Sequence, residues 1–162
     1  MPACPLNPHL SLNGAWRLRD LTRPDAADVP ATLPGDNYSA LLAAGLIPDP
    51  YYRRNEDEVQ GWAEDDWEYS REFTVDAAML AMPEVTLTLT MVDTFATFYL
   101  NGAEVGRTRN MFARYRFPVK RFLRPGINSR AWSSTRPCAA PTKKPRSSPA
   151  SSPAPATTAT PT

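Results

Sequence analysis

The stretch "FATFYLNGAEVGRT", residues 95–108, decides the fold class because it has the pattern of a β-hairpin. Aromatic and apolar residues precede the dipeptide Asn101-Gly102, and a second short run follows it. Both residues of an Asn-Gly pair readily adopt positive φ angles, which the type I′ turn of a two-residue hairpin requires. The stretch therefore predicts two antiparallel strands joined by a tight turn.

Alternating apolar residues predict further strands on both sides of this hairpin. The clearest is "EVTLTLTMV", residues 84–92, with Val, Leu and Met on one face and Thr on the other. In "ARYRFPVKRF", residues 113–122, Pro118 cannot donate a ladder hydrogen bond, which indicates an edge or a bulge. Two more strands are predicted in "DWEYSREFTV", residues 66–75, and "AWRLRDL", residues 15–21.

Helical patterns are scarce. Residues 22–36 are rich in proline and turn residues, and one short helix follows, with Asp36 or Asn37 as its cap and Gly45 as its end. Residues 46–62 are predicted to form a long ordered loop. A parallel α/β fold needs helices between its strands, so the pattern predicts an all-β sandwich with one short helix.

Charge is divided unevenly along the chain. All 17 acids and 6 of the 18 basic residues lie within residues 1–104. Residues 105–162 are basic, which is a feature of nucleic-acid-binding proteins. However, their arginines are scattered and no recognition motif accompanies them, so we expect no nucleic-acid partner. The simpler prediction is that the arginines around "NMF" pair with acids of the first part; these are Arg107, Arg109, Arg114 and Arg116.

Cysteine and histidine usage gives no sign of a metal or a cofactor. Cys4 and Cys138 lie near opposite ends, and His9 is the only histidine. No apolar run approaches the ~20 residues of a membrane span, and the first residues lack the pattern of a secretory leader. We therefore expect no membrane segment and a cytoplasmic location.

The stretch "AEDDWEY", residues 63–69, crowds four carboxylates around Trp67 and Tyr69. Glycosidases use two carboxyl groups roughly 5–9.5 Å apart, so a catalytic pair is one interpretation. Strand alternation favours the other interpretation, with both rings facing the core and the acids facing water. A solvated carboxylate cannot serve as a general acid at neutral pH. We predict a solvated acidic face; for Tyr51, Tyr52 and Trp62, a sugar platform and a buried position remain equally open.

Three segments in order carry a family resemblance: "LPGDNYSALLAAGLIPDPYYRRNEDEVQGWAEDDWEYSREF", "VDTFATFYLNGAEVG" and "NMFARYRFPV". Over about residues 12–128 the chain resembles the N-terminal domain of β-mannosidases of glycoside hydrolase family 2. The resemblance implies a jelly-roll sandwich related to galactose-binding-like domains. In that family this domain packs against a separate (β/α)8 barrel.

The resemblance also implies where the chemistry lies. The family hydrolyses terminal, non-reducing β-D-mannose residues with retention, using two glutamates on the barrel, and no position here matches either. The chain is therefore expected to have no catalytic residue and to be inactive alone, with the barrel and a β-mannoside as partners. The loop "PYYRRNEDEVQGW" is expected to face the barrel, and its candidate substrate-binding residues are Tyr52, Asn55, Glu56 and Trp62.

The sequence departs from the family after "INS", where the family continues into a strand of alternating apolar residues. Here the residues turn to Arg, Pro, Ala, Ser and Thr, which predicts a truncated or frameshifted product. The predicted division is a loose N-terminus (1–11), an incomplete sandwich (12–128) and a disordered tail (129–162). Two other functions stay open: a stand-alone carbohydrate-binding module, and a protein-interaction module with a basic tail.

Overall fold

The computed structural model describes residues 9–23 and 25–134. Within these residues the chain forms eight strands, three short helices and two 3-10 turns. The strands are β1 (Gly14–Asp20), β2 (Val29–Leu33), β3 (Trp67–Val75), β4 (Thr86–Leu89), β5 (Ala96–Leu100), β6 (Ala103–Thr108), β7 (Tyr115–Pro118) and β8 (Gly126–Ser134). The helices are α1 (Asn37–Ala43), α2 (Asn55–Val59) and α3 (Ala77–Ala81), and the 3-10 turns are Gln60–Glu64 and Lys120–Phe122.

Two antiparallel sheets form the sandwich. The larger has the strand order β2-β1-β3-β8-β5-β6, and the smaller contains β4 and β7. The predicted hairpin is confirmed as β5 and β6, with φ angles of 51° at Asn101 and 82° at Gly102. Pro118 pairs with Thr86 at the end of β7, which lies at an edge as predicted. The predicted all-β fold class is therefore confirmed.

The prediction of a single helix is wrong in number. Asp36 caps α1 as expected, with its Oδ1 accepting a hydrogen bond from the Ser39 amide at 2.8 Å. However, α2 and a 3-10 turn occupy part of the segment predicted as a loop, and α3 lies where no helix was expected. Helices of five residues are too short to display an apolar period, so their sequences resemble loops.

Strand β2 lies within the turn-rich segment that was predicted to contain no strand. Pro30 and Pro34 suggested turns, but Pro30 lies in the outermost strand of the larger sheet, opposite Arg17. An edge strand tolerates proline because one side of its backbone needs no partner. Val29 and Ala31 alternate inward from this strand and are buried.

Strand β8 extends the larger sheet to Ser134, six residues beyond the predicted domain boundary at Asn128. It pairs with β3 along its whole length and with β5 over five residue pairs. Residues 129–134 therefore belong to the sandwich, at the centre of its main sheet. The rest of the predicted tail, residues 135–162, and most of the predicted loose N-terminus lie outside the described residues.

Two hydrophobic clusters lie on the inner face of the larger sheet. One joins β1, β2 and β3 to α1 and α2 and includes Leu18, Leu41, Val59 and Trp67. The other joins β5 to the smaller sheet and is centred on Phe98, whose ring lies 6.4 Å from that of Phe117. Helices α1 and α2 thus pack on one part of this face and the smaller sheet packs on another part. A cleft lies between them.

Candidate functional site

The loop predicted to bind substrate is held to the domain at both ends. We call residues 46–62 the anchored loop, because Ile47 and Val59 are buried in the core beneath it. Asp49 organises its first turn: its carboxylate accepts from the Tyr51 amide at 2.9 Å, and its carbonyl accepts from the Asn55 side-chain amide at 2.9 Å. The loop is therefore an ordered surface feature, as the sequence indicated.

The structure gives the four candidate residues three different environments. Tyr52 is exposed, and the Arg53 guanidinium lies 5.1 Å from its ring; the neighbouring Tyr51 is 97% exposed. Glu56 is exposed on the first turn of α2. Asn55 is half-buried and uses its side chain to bind the Asp49 carbonyl within the loop. Tyr52 and Glu56 are thus available to a partner, whereas Asn55 mainly shapes the loop.

Trp62 is half-buried and packs against the core rather than standing as an open platform. Its ring stacks on Trp67 with centroids 6.1 Å apart, and the Arg23 guanidinium lies 3.9 Å from its centroid. It also lines a cavity of about 360 Å³ together with Leu41 and Asp20. A sugar reaching Trp62 would meet a ring already in contact with a cation.

Sequence reasoning missed the ionic cluster beside this cavity. Asp20 is only 4% exposed and accepts hydrogen bonds from the Thr22 amide at 2.7 Å and from Arg23 Nε at 2.6 Å. Arg23 also donates to Asp65 at 3.0 Å. The signal available was the turn sequence "DLTR", in which an aspartate accepts from backbone amides two and three residues on. The link to Asp65, 42 residues away, had no local signal.

The stretch "AEDDWEY" places its rings in the core and its acids in differing environments. Trp67 and Tyr69 are 4% and 3% exposed, so their predicted place in the core is confirmed. Asp65 is engaged by Arg23, and Glu64 is exposed. Burial raises the pKa of the Tyr69 hydroxyl, as expected for a phenol in an apolar setting. Of the four acids predicted to face water, only Glu64 is exposed, whereas Asp65, Asp66 and Glu68 are half-buried.

The structure also bears on metal sites, membrane segments and the predicted ion pairs of the arginines. Among the described residues, no group of three His, Cys, Asp or Glu side chains could hold a metal. No helix in the described part of the chain is long and apolar enough to cross a membrane, and the predicted cytoplasmic location stays a prediction. Arg107 pairs with Glu104 at 2.9 Å, which lowers the pKa of that carboxyl mainly through the hydrogen bond.

A wide concavity lies on the inner face of the larger sheet, between α1 and the smaller sheet, and we call it the central cleft. Its volume is about 1220 Å³, and its walls include Trp16, Tyr69, Phe98, Arg130 and Trp132. The ring of Trp132 lies 4.5 Å from Tyr69 and 5.8 Å from Phe98. Sequence reasoning missed this site because Arg130 and Trp132 fell within the segment predicted to be a disordered tail.

Comparisons with known proteins agree on one family. The family described as "Glycosyl hydrolase 2 galactose-binding domain-like" matches residues 16–156. The chain is 38% identical over 122 residues to a β-mannosidase of Rattus norvegicus, covering 75% of this chain and 14% of that protein. A probable β-mannosidase of Caenorhabditis elegans is 35% identical over 125 residues, covering 75% of this chain and 13% of that protein.

A solved structure gives the same result in three dimensions. The crystal structure of a β-D-mannosidase from Dictyoglomus thermophilum superposes with a TM-score of 0.73 at 36% identity. The match covers 76% of this chain and 15% of that chain. The chain therefore spans about one seventh of the length of the relatives it resembles.

Proposed function

This chain belongs to the glycosyl hydrolase 2 galactose-binding domain-like family, and from that premise we propose that it is the N-terminal, non-catalytic domain of a β-mannosidase. One observation carries the proposal: alignment over 75% of the chain accounts for only 14% of a β-mannosidase relative. The enzyme of which such a domain forms part would hydrolyse terminal, non-reducing β-D-mannose residues with retention. Its acid and nucleophile would lie in a (β/α)8 barrel outside this chain.

The anchored loop is the surface we assign to the barrel. Tyr51 and Tyr52 expose large aromatic rings, and aromatic residues are enriched at protein interfaces. Because Ile47 and Val59 fix the loop to the core, its exposed residues are presented in one arrangement, which lowers the entropy cost of docking. Exposed Glu56 and Tyr52 are the residues we place nearest the sugar, with Asn55 and Trp62 holding the loop in shape.

A chimaera tests this assignment. Residues 12–134 of this chain would replace the matching part of the Dictyoglomus β-mannosidase, and hydrolysis of 4-nitrophenyl β-mannoside would be measured. We expect Tyr52→Ala or Glu56→Gln in the chimaera to lower kcat/KM at least about tenfold. Thr88→Ala, an exposed change on β4, is the control and should leave kcat/KM unchanged. Equal kcat/KM for all three variants would contradict the loop's role.

The exposed pair Tyr51 and Tyr52 also favours a second candidate, a stand-alone carbohydrate-binding module. Aromatic rings can stack on the apolar faces of sugars, and this function would need no barrel. A titration of the full chain with mannose, followed by NMR, separates the two. Saturable shifts at Tyr51 and Tyr52 would favour the binding module. Unmoved signals would favour a domain that contacts sugar only beside its barrel.

A further inference from the structure

Arg130 occupies a position where an apolar side chain would be expected. Alternate residues of β8 face inward, and Arg130 is the inward-facing residue between Asn128 and Trp132. It is 5% exposed. Its cross-strand neighbour in β5 is Leu100. A guanidinium therefore lies in the middle of the inner face of the larger sheet.

No carboxylate of the described residues forms an ion pair with this guanidinium. Its Nε has no hydrogen-bond partner among the described residues. Its nearest ring neighbours are Trp16 and Phe98, with centroids 5.5 and 5.6 Å from Cζ. Burial lowers the pKa of Arg130 to about 10, so the side chain is still charged at neutral pH. A buried, unpaired cation is costly, and an anion beside it would offset that cost.

A second arginine strengthens the positive field. Arg71 of β3 lies directly opposite Arg130 across the β3–β8 pair. Arg71 donates to the backbone carbonyls of Leu12 and Asn13, at 3.0 and 2.7 Å. These acceptors are neutral, so the two contacts do not neutralise the charge of Arg71. Like charges directly opposite on neighbouring strands destabilise a sheet. The arrangement therefore favours an anion on this face.

The central cleft gives such an anion access and an apolar neighbourhood. Arg130 lines it together with Trp132, Phe98, Leu89 and Leu100. Its volume of about 1220 Å³ slightly exceeds the roughly 300–1,000 Å³ of most small-molecule sites. The carboxylates that line the cleft belong to exposed residues: Asp36, Glu84 and Asp93. The inner part of the cleft thus combines a cation with apolar walls.

We propose that the central cleft binds a carboxylate amphiphile, with the carboxylate on Arg130 and the alkyl chain along Trp132, Phe98 and the leucines. This inference goes beyond the proposed function and does not depend on it. Alkyl chains suit these walls, and a charge-assisted hydrogen bond from the Arg130 guanidinium that lines the cleft supplies the head-group preference.

Dodecanoate is the probe, added to the full chain below micelle-forming concentrations. Trp16, Trp67 and Trp132 line the cleft, so intrinsic fluorescence reports binding. Dodecyltrimethylammonium is the matched ligand, with the same alkyl chain and the opposite charge. We expect saturable 1:1 binding of dodecanoate, at least about tenfold tighter than the cation. Equal affinity for both ligands, or no binding of dodecanoate, would overturn the proposal.

Two variants locate the site. Arg130→Met should reduce the preference for the anion to less than about twofold, whereas Arg116→Met, on an exposed position of β7, should keep it. If Arg130→Met retains the full preference, the site is elsewhere and the proposal fails. Should that variant not fold, the comparison of head groups on the unchanged chain decides. A dimer by sedimentation that takes up no dodecanoate would mean that a second copy covers the cleft, which also overturns the proposal.

Discussion

The ring of Tyr69 stacks on the ring of Trp132, with centroids 4.5 Å apart and planes inclined by only 3°. Tyr69 lies in β3 and Trp132 in β8, directly opposite one another. The contact joins β3, which lies in the part of the sequence that resembles the family, to residues after Asn128. It makes β8 part of the core, not an appendage to it.

Replacing Trp132 should therefore destabilise the whole domain. Trp132→Ala removes stacking on both Tyr69 and Phe98, and we expect a loss of about 3 kcal/mol in the free energy of unfolding. Urea denaturation measures this loss. Phe112→Ala, at a residue 90% exposed, is the control and should change stability little. Equal effects of the two substitutions would show that β8 is not packed as described.

Asn128 should be as sensitive to substitution as an apolar core residue. It is fully buried, and its side chain accepts from the Arg124 amide at 2.8 Å and from Asn101 Nδ2 at 2.8 Å. Asn128→Ala removes the shared acceptor of these donors and the side-chain amide that donates to the Arg124 and Gly126 carbonyls, with an expected loss of about 3 kcal/mol in unfolding free energy. Asn110→Ala removes an exposed hydrogen bond to the Phe112 amide and serves as the control. A loss below that of the control would contradict this role.

Removing the charge of Arg130 should stabilise the fold. Arg130→Met replaces a buried cation, which has no ion-pair partner among the described residues, with an apolar chain of similar length, and we expect a gain of about 1–3 kcal/mol in unfolding free energy. Arg116→Met is the exposed control. A thermal or urea transition that moves downward for Arg130→Met would show that the guanidinium is favourable where it lies.

The same substitution has a defined pH dependence. Burial lowers the pKa of Arg130 to about 10 from a higher value in the unfolded chain. Below about pH 10 both states hold the proton, so the full cost of the buried charge is present and constant. This cost falls only as pH rises through the folded-state pKa, because the guanidinium then loses its proton. The gain from Arg130→Met should therefore be equal across about pH 6–9; a gain that changes steeply within that range would contradict this account.

The sequence predicted β1 and β3 because their apolar residues alternate toward one buried face. Alternation in β1 and β3 is clear because Trp16, Leu18, Trp67 and Tyr69 all point to the same core. The β5–β6 turn was predictable because Asn-Gly determines its own geometry. These local rules were sufficient for the fold class.

The elements that sequence reasoning missed are fixed by their neighbours. In β8, Arg130 and several serines interrupt apolar alternation, and pairing with β3 and β5 on both sides holds the strand. In β2, Pro30 imitates a turn but lies at a free edge. Long-range pairing decides both cases, and a single sequence does not display it.

The loop was predicted as an ordered segment, and its role in binding substrate stays a prediction. The segment "PYYRRNEDEVQGW" is an ordered surface loop, and Tyr52 and Glu56 are exposed on it. Burial of Trp62 against Trp67 and Arg23 could not be read from spacing, because Arg23 lies 39 residues earlier. The central cleft was unpredictable for a related reason: its walls come from strands distant in the chain.

The central claim is that this chain is a domain of a β-mannosidase and carries no catalytic centre of its own. The most direct measurement is the release of 4-nitrophenol from 4-nitrophenyl β-mannoside by the purified full chain, with the Dictyoglomus enzyme as the positive control. The account predicts a rate equal to that of buffer at every substrate concentration. Saturable turnover by the chain would contradict it.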